Sequence, residues 1–238
     1  GKNEILVTVG DGWWRGDTGY GGVRNSFGTD LAILCQLEID RKTVLISDKS
    51  WSASQEGPLG LNDLMQGECY DARKENICEW HPVTEKQFGY ENLVCSNSFD
   101  VVEKENFTGK QIHTPNGEVV IDFGQNIAGY VKFGFYAQAG QCITLYHGEC
   151  LDQNGNFTQE NFQAPEHRVE QCVKYICKEG WNEYKPEKSI FGFRYIKAIT
   201  DVKVTEKNFT AIAVYSDMPQ TGKFECGHPG INQLFSNA

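Results

Sequence analysis

Apolar residues recur at every second position through most of this 238-residue chain. A chain patterned with period two can bury those residues only by pairing into sheets. Leu31, Ile33, Cys35, Leu37 and Ile39 would line one face of a strand, and Glu4–Val9 reads as a shorter strand ending at Gly10. Thr43–Ser47 follows a polar break at Asp40-Arg-Lys42, which predicts a hairpin of open turn type because no Asn-Gly is present. Further on, Val131, Phe133 and Phe135 alternate, and strands are expected at Cys142–His147, Val169–Cys177, Arg194–Thr200 and Phe209–Tyr215. Turns at Pro115-Asn-Gly117, Ala139-Gly140 and Asp152–Asn156 separate them. That spacing, with 25 glycines against 7 prolines, belongs to a β-sandwich or barrel. Residues 55–104 are irregular, with a short helical turn expected over Asn62–Gly67 and a linker around 98–111. The end differs: Pro229 stands at a first helical turn, and Ile231, Leu234 and Phe235 fall at i, i+3 and i+4.

Charge narrows the function classes. Lys+Arg 22 against Asp+Glu 32 gives a net charge of −10, which repels phosphate backbones and argues against a nucleic-acid binder. No apolar stretch approaches the ~20 residues of a membrane-spanning helix. The nine cysteines include no C-x-x-C pair, so zinc ribbons and thioredoxin-like motifs are not expected. Cysteines in apolar alternation, such as Cys35, read as reduced, buried small hydrophobes. Three Asn-Phe-Thr triplets begin at Asn106, Asn156 and Asn208 and carry no argument by themselves.

The usual catalytic signatures are missing: no G-x-S-x-G, no Walker A sequence and no H-E-x-x-H. Gly10-Asp-Gly12 opens like a dinucleotide fingerprint but has Arg15 where the third glycine belongs. The richest stretch is Val9-Gly-Asp-Gly-Trp-Trp-Arg-Gly16. Asp11, Trp13, Trp14 and Arg15 are the candidate carbohydrate-binding residues, since pyranose faces stack on indoles and hydroxyls need directed polar groups. The plainer alternative is a turn braced by an Asp–Arg pair, with one tryptophan capping the core. In Gly67–Arg73, Glu68 and Asp71 could meet hydroxyls or a cation, or pair locally with Arg73. Asp122-Phe-Gly-Gln-Asn126 reads as a hydrogen-bonded corner, and His147 as a satisfied histidine at a strand end. Nothing among the 32 carboxylates singles out an acid and a base, and no catalytic or metal-ligating residue is assigned.

Taken in order, these motifs resemble the bacterial α-L-rhamnosidases of glycoside hydrolase family 78. Val9–Gly16 is similar to that family's V-G-D/N-G-W-Y-R-G, with Trp14 in place of Tyr. Leu31–Ile39 and Gly67–Arg73 follow as in its N-terminal β-sandwich. Asp122–Val131 is similar to D-F-G-Q-N-x-A-G-W/Y-V of the concanavalin-like sandwich that comes next. His147–Asp152, Phe157–Asn161, Gly192–Tyr195 and Tyr215–Cys226 continue the series.

The resemblance implies an all-β fold of two sandwiches, jelly-roll-like and concanavalin-like. It divides the chain into an incomplete N-terminal sandwich at 1–104, the concanavalin-like domain at 105–221, and the first segment of a helical (α/α)6 barrel at 222–238. The family's acid and base lie on that barrel, so the expected role is non-catalytic support of an inverting α-L-rhamnosidase. Expected partners are rhamnose-containing glycosides and the barrel of the same polypeptide, with no nucleic acid or membrane. No cofactor is expected, apart from a calcium ion considered for the N-terminal sandwich by analogy with related carbohydrate-binding modules. The alternative is a stand-alone lectin-like sandwich. Gly1–Glu4 is no signal peptide, and the retained cysteines lean to a cytoplasmic bacterial protein.

Overall fold

The computed structural model describes residues 3–19, 21–76, 79–166 and 168–237; Cys78 lies outside them. The fold is all-β, with two α-helices at its extremes, α1 (Gly12–Arg15) and α2 (Pro229–Asn237). The second forms where Pro229 and the 3.6-residue apolar stripe predict it.

The N-terminal part is sparsely paired. β1 (Gln36–Ile39) and β2 (Lys42–Ile46) make a hairpin. Its turn residues Asp40 and Arg41 have φ 50° and 61°, the two positive values that a type I′ turn needs. The predicted strand over 31–39 is therefore only its last four residues. Glu4–Val9 pairs with nothing among the described residues, because alternation supplies a face but a strand also needs a neighbour in register. β3 (Ser52–Ala53) is followed by β4 (Leu59–Asp63) and β5 (Gly67–Asp71), then by β6 (His81–Pro82), which pairs with β3. The helical turn expected over Asn62–Gly67 is instead the tight connection of the β4–β5 hairpin, with Gly67 at φ 108°. The cysteines also differ from expectation. Those described are free, but only Cys172 and Cys177 are buried, while Cys95 and Cys150 are exposed.

Where a linker is expected, the chain instead forms β7 (Val101–Thr108) and β8 (Lys110–His113). The charges of β7 suit an edge strand, where lysine and glutamate discourage pairing with another chain. Gly117, at φ 71°, turns the chain into β9 (Val119–Ala137). Then come β10 (Cys142–Gly148), β11 (Cys172–Ile176), β12 (Gly180–Tyr184), β13 (Phe191–Thr200) and β14 (Phe209–Ser216). The main sheet has ten strands, running β4-β5-β11-β10-β13-β9-β14-β7, with β8 and β12 also paired to β9.

β9 belongs to two layers. Its first residues, Val119–Asp122, lie between β8 and the second half of β13. Its last residues pair with β14 and β12. The sheet thereby folds over on itself, and its inner faces meet. Phe133 packs edge-on against Tyr175 at 5.3 Å, and Tyr175 stacks on Tyr70 at 5.7 Å. Ile121, Ile143, Leu145, Phe193 and Ile196 are fully buried between the layers, each worth about 1.5–3 kcal/mol of transfer free energy.

The N-terminal residues enter this sheet through β5, which runs parallel to β11. Glu68 of β5 points inward and is fully buried. Its carboxylate accepts hydrogen bonds from the Tyr184 hydroxyl, the Ser189 hydroxyl at 3.2 Å and the backbone N–H groups of Glu187 and Lys188, both at 3.3 Å. Asn62 Nδ2 donates a further bond at 3.2 Å. Glu68→Ala strands these donors, so it is expected to lower unfolding free energy by about 3 kcal/mol; denaturant unfolding of the two proteins measures it. A loss below about 1 kcal/mol would mean that water satisfies the loop equally well.

Candidate functional site

The tryptophan-bearing turn is organised by a cation that its own motif does not contain. Asp11 precedes α1, and the Arg15 backbone N–H donates to the Asp11 carbonyl at 3.1 Å. Arg15 Nε donates to Asp11 Oδ1 at 2.7 Å. The other carboxylate oxygen accepts from Arg24 Nη2, also at 2.7 Å. Arg24 Nη1 reaches Asp63 at 2.7 Å and Asp17 at 3.2 Å, so three carboxylates converge on one guanidinium.

Asp63 is fully buried at the end of β4. Burial alone would favour its neutral form. The backbone N–H groups of Gln66, Asp17 and Met65, together with Arg24, outweigh burial and hold it below the usual carboxylate range. Burial likewise works against the Arg24 charge, but Asp63, Asp11 and Asp17 raise its pKa overall. Sequence reasoning missed Arg24 because no spacing links residues 24 and 63 to the motif; only the chain path does.

The four sequence-nominated residues therefore separate. Asp11 and Arg15 are committed to each other, and Asp11 also to Arg24. Trp14 stacks on Phe27 at 6.4 Å and donates its indole N–H to the Asp30 carbonyl at 2.9 Å. Trp13 presents its ring outward, 53% exposed. The residues do not fit a calcium ion as they stand, since Arg24 takes the position between Asp11, Asp17 and Asp63 that a divalent cation would need. Among the described residues, no group of three His, Cys, Asp or Glu is placed to hold a metal.

The second motif divides: Glu68 gathers the distant 184–189 segment, and only Asp71 pairs locally. Asp71 accepts a two-pronged ion pair from Arg73, with both bonds at 2.8 Å, and that contact holds its carboxyl below the ordinary range.

The third motif is the corner of β9. Tyr195 stands opposite Asp122, and Phe193 opposite Ile127. One residue of β13, Arg194, thus spans four of β9, residues 123–126. The guanidinium of Arg194 closes the gap with two bonds of 2.8 Å to Asp122. Gly124 is at φ 81°, a conformation that suits glycine, and its N–H donates to Asp122 at 2.7 Å. Arg194 is the main cause holding the Asp122 carboxyl low. Beside the corner, Glu149 accepts from Asn126 at 3.3 Å and from Asn161 at 2.8 Å.

His147 lies beneath, fully buried, with its ring stacked on Phe191 at 4.0 Å. Its Nδ1 faces the Gln171 carbonyl at 3.0 Å, while Nε2 has no partner. It is a core group remote from solvent rather than a catalytic base.

A glycosidase needs one carboxyl raised to act as an acid. Among the described residues, the carboxyls whose pKa departs from the ordinary range depart downward, through Arg, Lys, hydroxyl or N–H donors. The arrangement builds rigid corners and offers aromatic surface.

Comparison with known proteins places these features in context. Residues 1–112 match the family described as the alpha-L-rhamnosidase N-terminal domain, and residues 112–215 match the bacterial alpha-L-rhamnosidase concanavalin-like domain. Among curated relatives, an alpha-L-rhamnosidase of Formosa agariphila is 28% identical across 100% of this chain and 27% of its own length. One from Streptomyces avermitilis is also 28% identical, across 100% and 24%. The chain thus spans about a quarter of the length of these relatives. Of solved structures, the α-L-rhamnosidase of Aspergillus terreus superposes with TM-score 0.81 and 30% identity over 96% of this chain and 28% of that one. The Streptomyces avermitilis enzyme, complexed with L-rhamnose, gives 0.78 and 27% over 95% and 23%.

The buried imidazole sets a pH dependence. Burial pushes the His147 pKa down to about 4, against the weaker opposing effect of the Gln171 carbonyl. Well above pH ~6.5 the ring is neutral in both folded and unfolded chains and contributes no slope. As pH falls from ~6.5 to ~4, only the unfolded chain takes up the proton, so stability falls by about 3 kcal/mol across that window. Urea unfolding at stepped pH should show a slope near one proton between pH 6.5 and 5, absent in His147→Leu. An unchanged slope in that variant would place the titrating group elsewhere.

Proposed function

Because the chain belongs to the bacterial α-L-rhamnosidase family, as its N-terminal and concanavalin-like domains, we propose that it is the non-catalytic accessory region of an enzyme that releases terminal α-L-rhamnose from glycosides or polysaccharides by inversion. The observation that carries this reading is the order of the two family matches, back to back over residues 1–215, in a chain spanning about a quarter of its relatives. The lowered carboxyls of Asp63, Asp71 and Asp122 support it from the other side, since each is held ionised by its partners rather than ready to donate a proton. The region would buttress a helical catalytic barrel, beginning near Phe224, through the exposed apolar residues Phe224, Ile231 and Leu234 of its last segment. On this reading, residues 1–104, 105–221 and 222–238 serve as N-terminal sandwich, concanavalin-like sandwich and barrel entry. The unpaired surface thiols Cys95 and Cys150 support a reducing, cytoplasmic setting.

An aryl α-L-rhamnoside assay tests the proposal. The 238-residue chain should show no turnover, and a polypeptide continuing through the expected barrel should hydrolyse the substrate. Hydrolysis by the 238 residues alone would overturn it.

A second role is favoured by the outward indole of Trp13, with Trp14 beside it and Asp11 and Arg15 fixing the turn. On this reading the turn binds rhamnose. Its interaction would be mainly stacking, since the Asp11 oxygens are already engaged by Arg15 and Arg24. Titration with L-rhamnose, with and without calcium, should then give saturation that Trp13→Ala abolishes and calcium leaves unchanged. Absence of binding at millimolar sugar would leave the Trp13 turn purely structural.

A further inference from the structure

A second aromatic surface stands on the outside of the folded sheet, far along the sequence from the tryptophan turn. Tyr136 of β9 and Trp181 of β12 are directly opposed across the strands. Their rings meet at 5.1 Å with an interplanar angle of 64°. Tyr136 is 76% exposed and Trp181 49% exposed. A cross-strand aromatic pair stabilises a sheet by about 0.2–1 kcal/mol, so pairing alone is one reason for these residues.

Gly134 supplies a second. It sits in the middle of β9, opposite Glu183, and its φ is not among the positive ones. The backbone there would accept any residue, and a strand-interior glycine costs about 0.5–1 kcal/mol relative to alanine. What glycine provides is room: a Cβ at 134 would lie 2.8 Å from Trp181 Cζ2 and 3.2 Å from Cη2. The indole therefore lies down over the strand, supported from beneath, with its upper side left to solvent. Glycine in a strand often marks such a close approach.

The neighbours of this platform are polar. Lys132, two positions along the same face of β9, pairs with Glu183 of β12 at 3.0 Å, and both side chains are about half exposed. An interface core for another protein domain would be depleted of charge and broadly apolar. Here a small aromatic shelf adjoins exposed donors and acceptors, which suits a ligand with apolar C–H faces and a hydroxyl rim. The ion pair is neutral as a unit and the chain carries −10 overall, so an uncharged ligand is favoured over a polyanion. From Tyr136 to Lys132 the face runs about 13 Å at strand spacing, longer than one sugar ring.

We propose that the outer face of β9 and β12, built on Trp181, Tyr136, Gly134, Lys132 and Glu183, binds a neutral oligosaccharide, with pyranose rings stacked on the indole and phenol. The site is distinct from the Trp13 turn. Only the choice of rhamnose as the test sugar rests on the family reading. Removing the platform should leave turnover of a small aryl rhamnoside by the longer enzyme untouched, so that assay reports separately on the catalytic reading.

The test is a fluorescence and calorimetric titration of the 238-residue chain with a neutral rhamnan tetrasaccharide. L-rhamnose and polygalacturonate serve as short and anionic comparisons. The tetrasaccharide should bind saturably and more tightly than the monosaccharide, with no binding of polygalacturonate. Trp181→Ala and Gly134→Val should each weaken binding by about tenfold or more, equivalent to ~1.4 kcal/mol. Tyr136→Ser, at a highly exposed position that leaves the core intact, should weaken it as well. Trp13→Ala should leave the tetrasaccharide binding at this face in place, whatever it does to binding of L-rhamnose at its own turn. The proposal fails if the tetrasaccharide does not bind, if Tyr136→Ser and Trp181→Ala bind as the parent does, or if Trp13→Ala abolishes the signal.

Discussion

The two-pronged contact between Arg194 and Asp122 sits where the whole sheet changes direction. β9 is a single strand of 19 residues, yet it serves two layers, and it can do so only if its ladder with β13 is broken and resumed at a fixed place. Four residues of one strand pass one residue of the other at that break. An irregularity of that size would leave backbone groups and register undetermined. A planar guanidinium bonded twice to one carboxylate fixes both distance and angle, and the same carboxylate takes the Gly124 N–H. Downstream of this point, the facing of Phe133 onto Tyr175 depends on β9 having turned by a set amount. The pair is partly open to water, so its Coulomb energy is modest; its importance is geometric.

The concanavalin-like part was nearly transparent to reading from sequence. Alternation located the second half of β9 together with β10, β11, β13 and β14 but not the short β12, and the turns at Gly117 and Gly155 fell where Asn-Gly pairs predict them. That legibility has a physical origin, since each of these strands buries one face in a shared core and the alternation is a direct imprint of that burial. The N-terminal part was not legible in the same way. Glu4–Val9 and Leu31–Leu34 carry the same alternation but lie largely exposed, as Leu6 and Leu34 illustrate. Pattern announces a face and is silent about whether a neighbour exists to cover it. β4, β5 and β7 were missed for the opposite reason: their burial or pairing is set by distant strands, and their own residues are too polar or too few to alternate cleanly.

The candidate sites divide along similar lines. Asp11, Trp13, Trp14 and Arg15 stand out because they are contiguous, and the Asp–Arg brace within them follows from helical spacing alone. Arg24, Asp17 and Asp63 complete the cluster from positions that no local rule connects. The Trp181 shelf is a still harder case. Neither Tyr136 nor Trp181 belongs to a recognisable motif, and Gly134 is one glycine among 25. Its meaning emerges only once the indole is seen above it and the backbone is seen not to require it.

The parallel pairing of β5 with β11 bears on how the molecule holds together as a unit. The family boundary near residue 112 does not coincide with a seam in the hydrogen-bond network. A polypeptide starting at that boundary would lose β4 and β5 from one flank and β7 from the other, leaving β11 and β14 as naked edges of a hydrophobic sheet. The buried loop over residues 187–189 would lose Glu68, the carboxylate that collects it. The two family regions therefore share one continuous hydrogen-bonded sheet, through β5 against β11 and β7 against β14. Exchange of modules between related enzymes would have to carry residues 59–71 along with the concanavalin-like sheet.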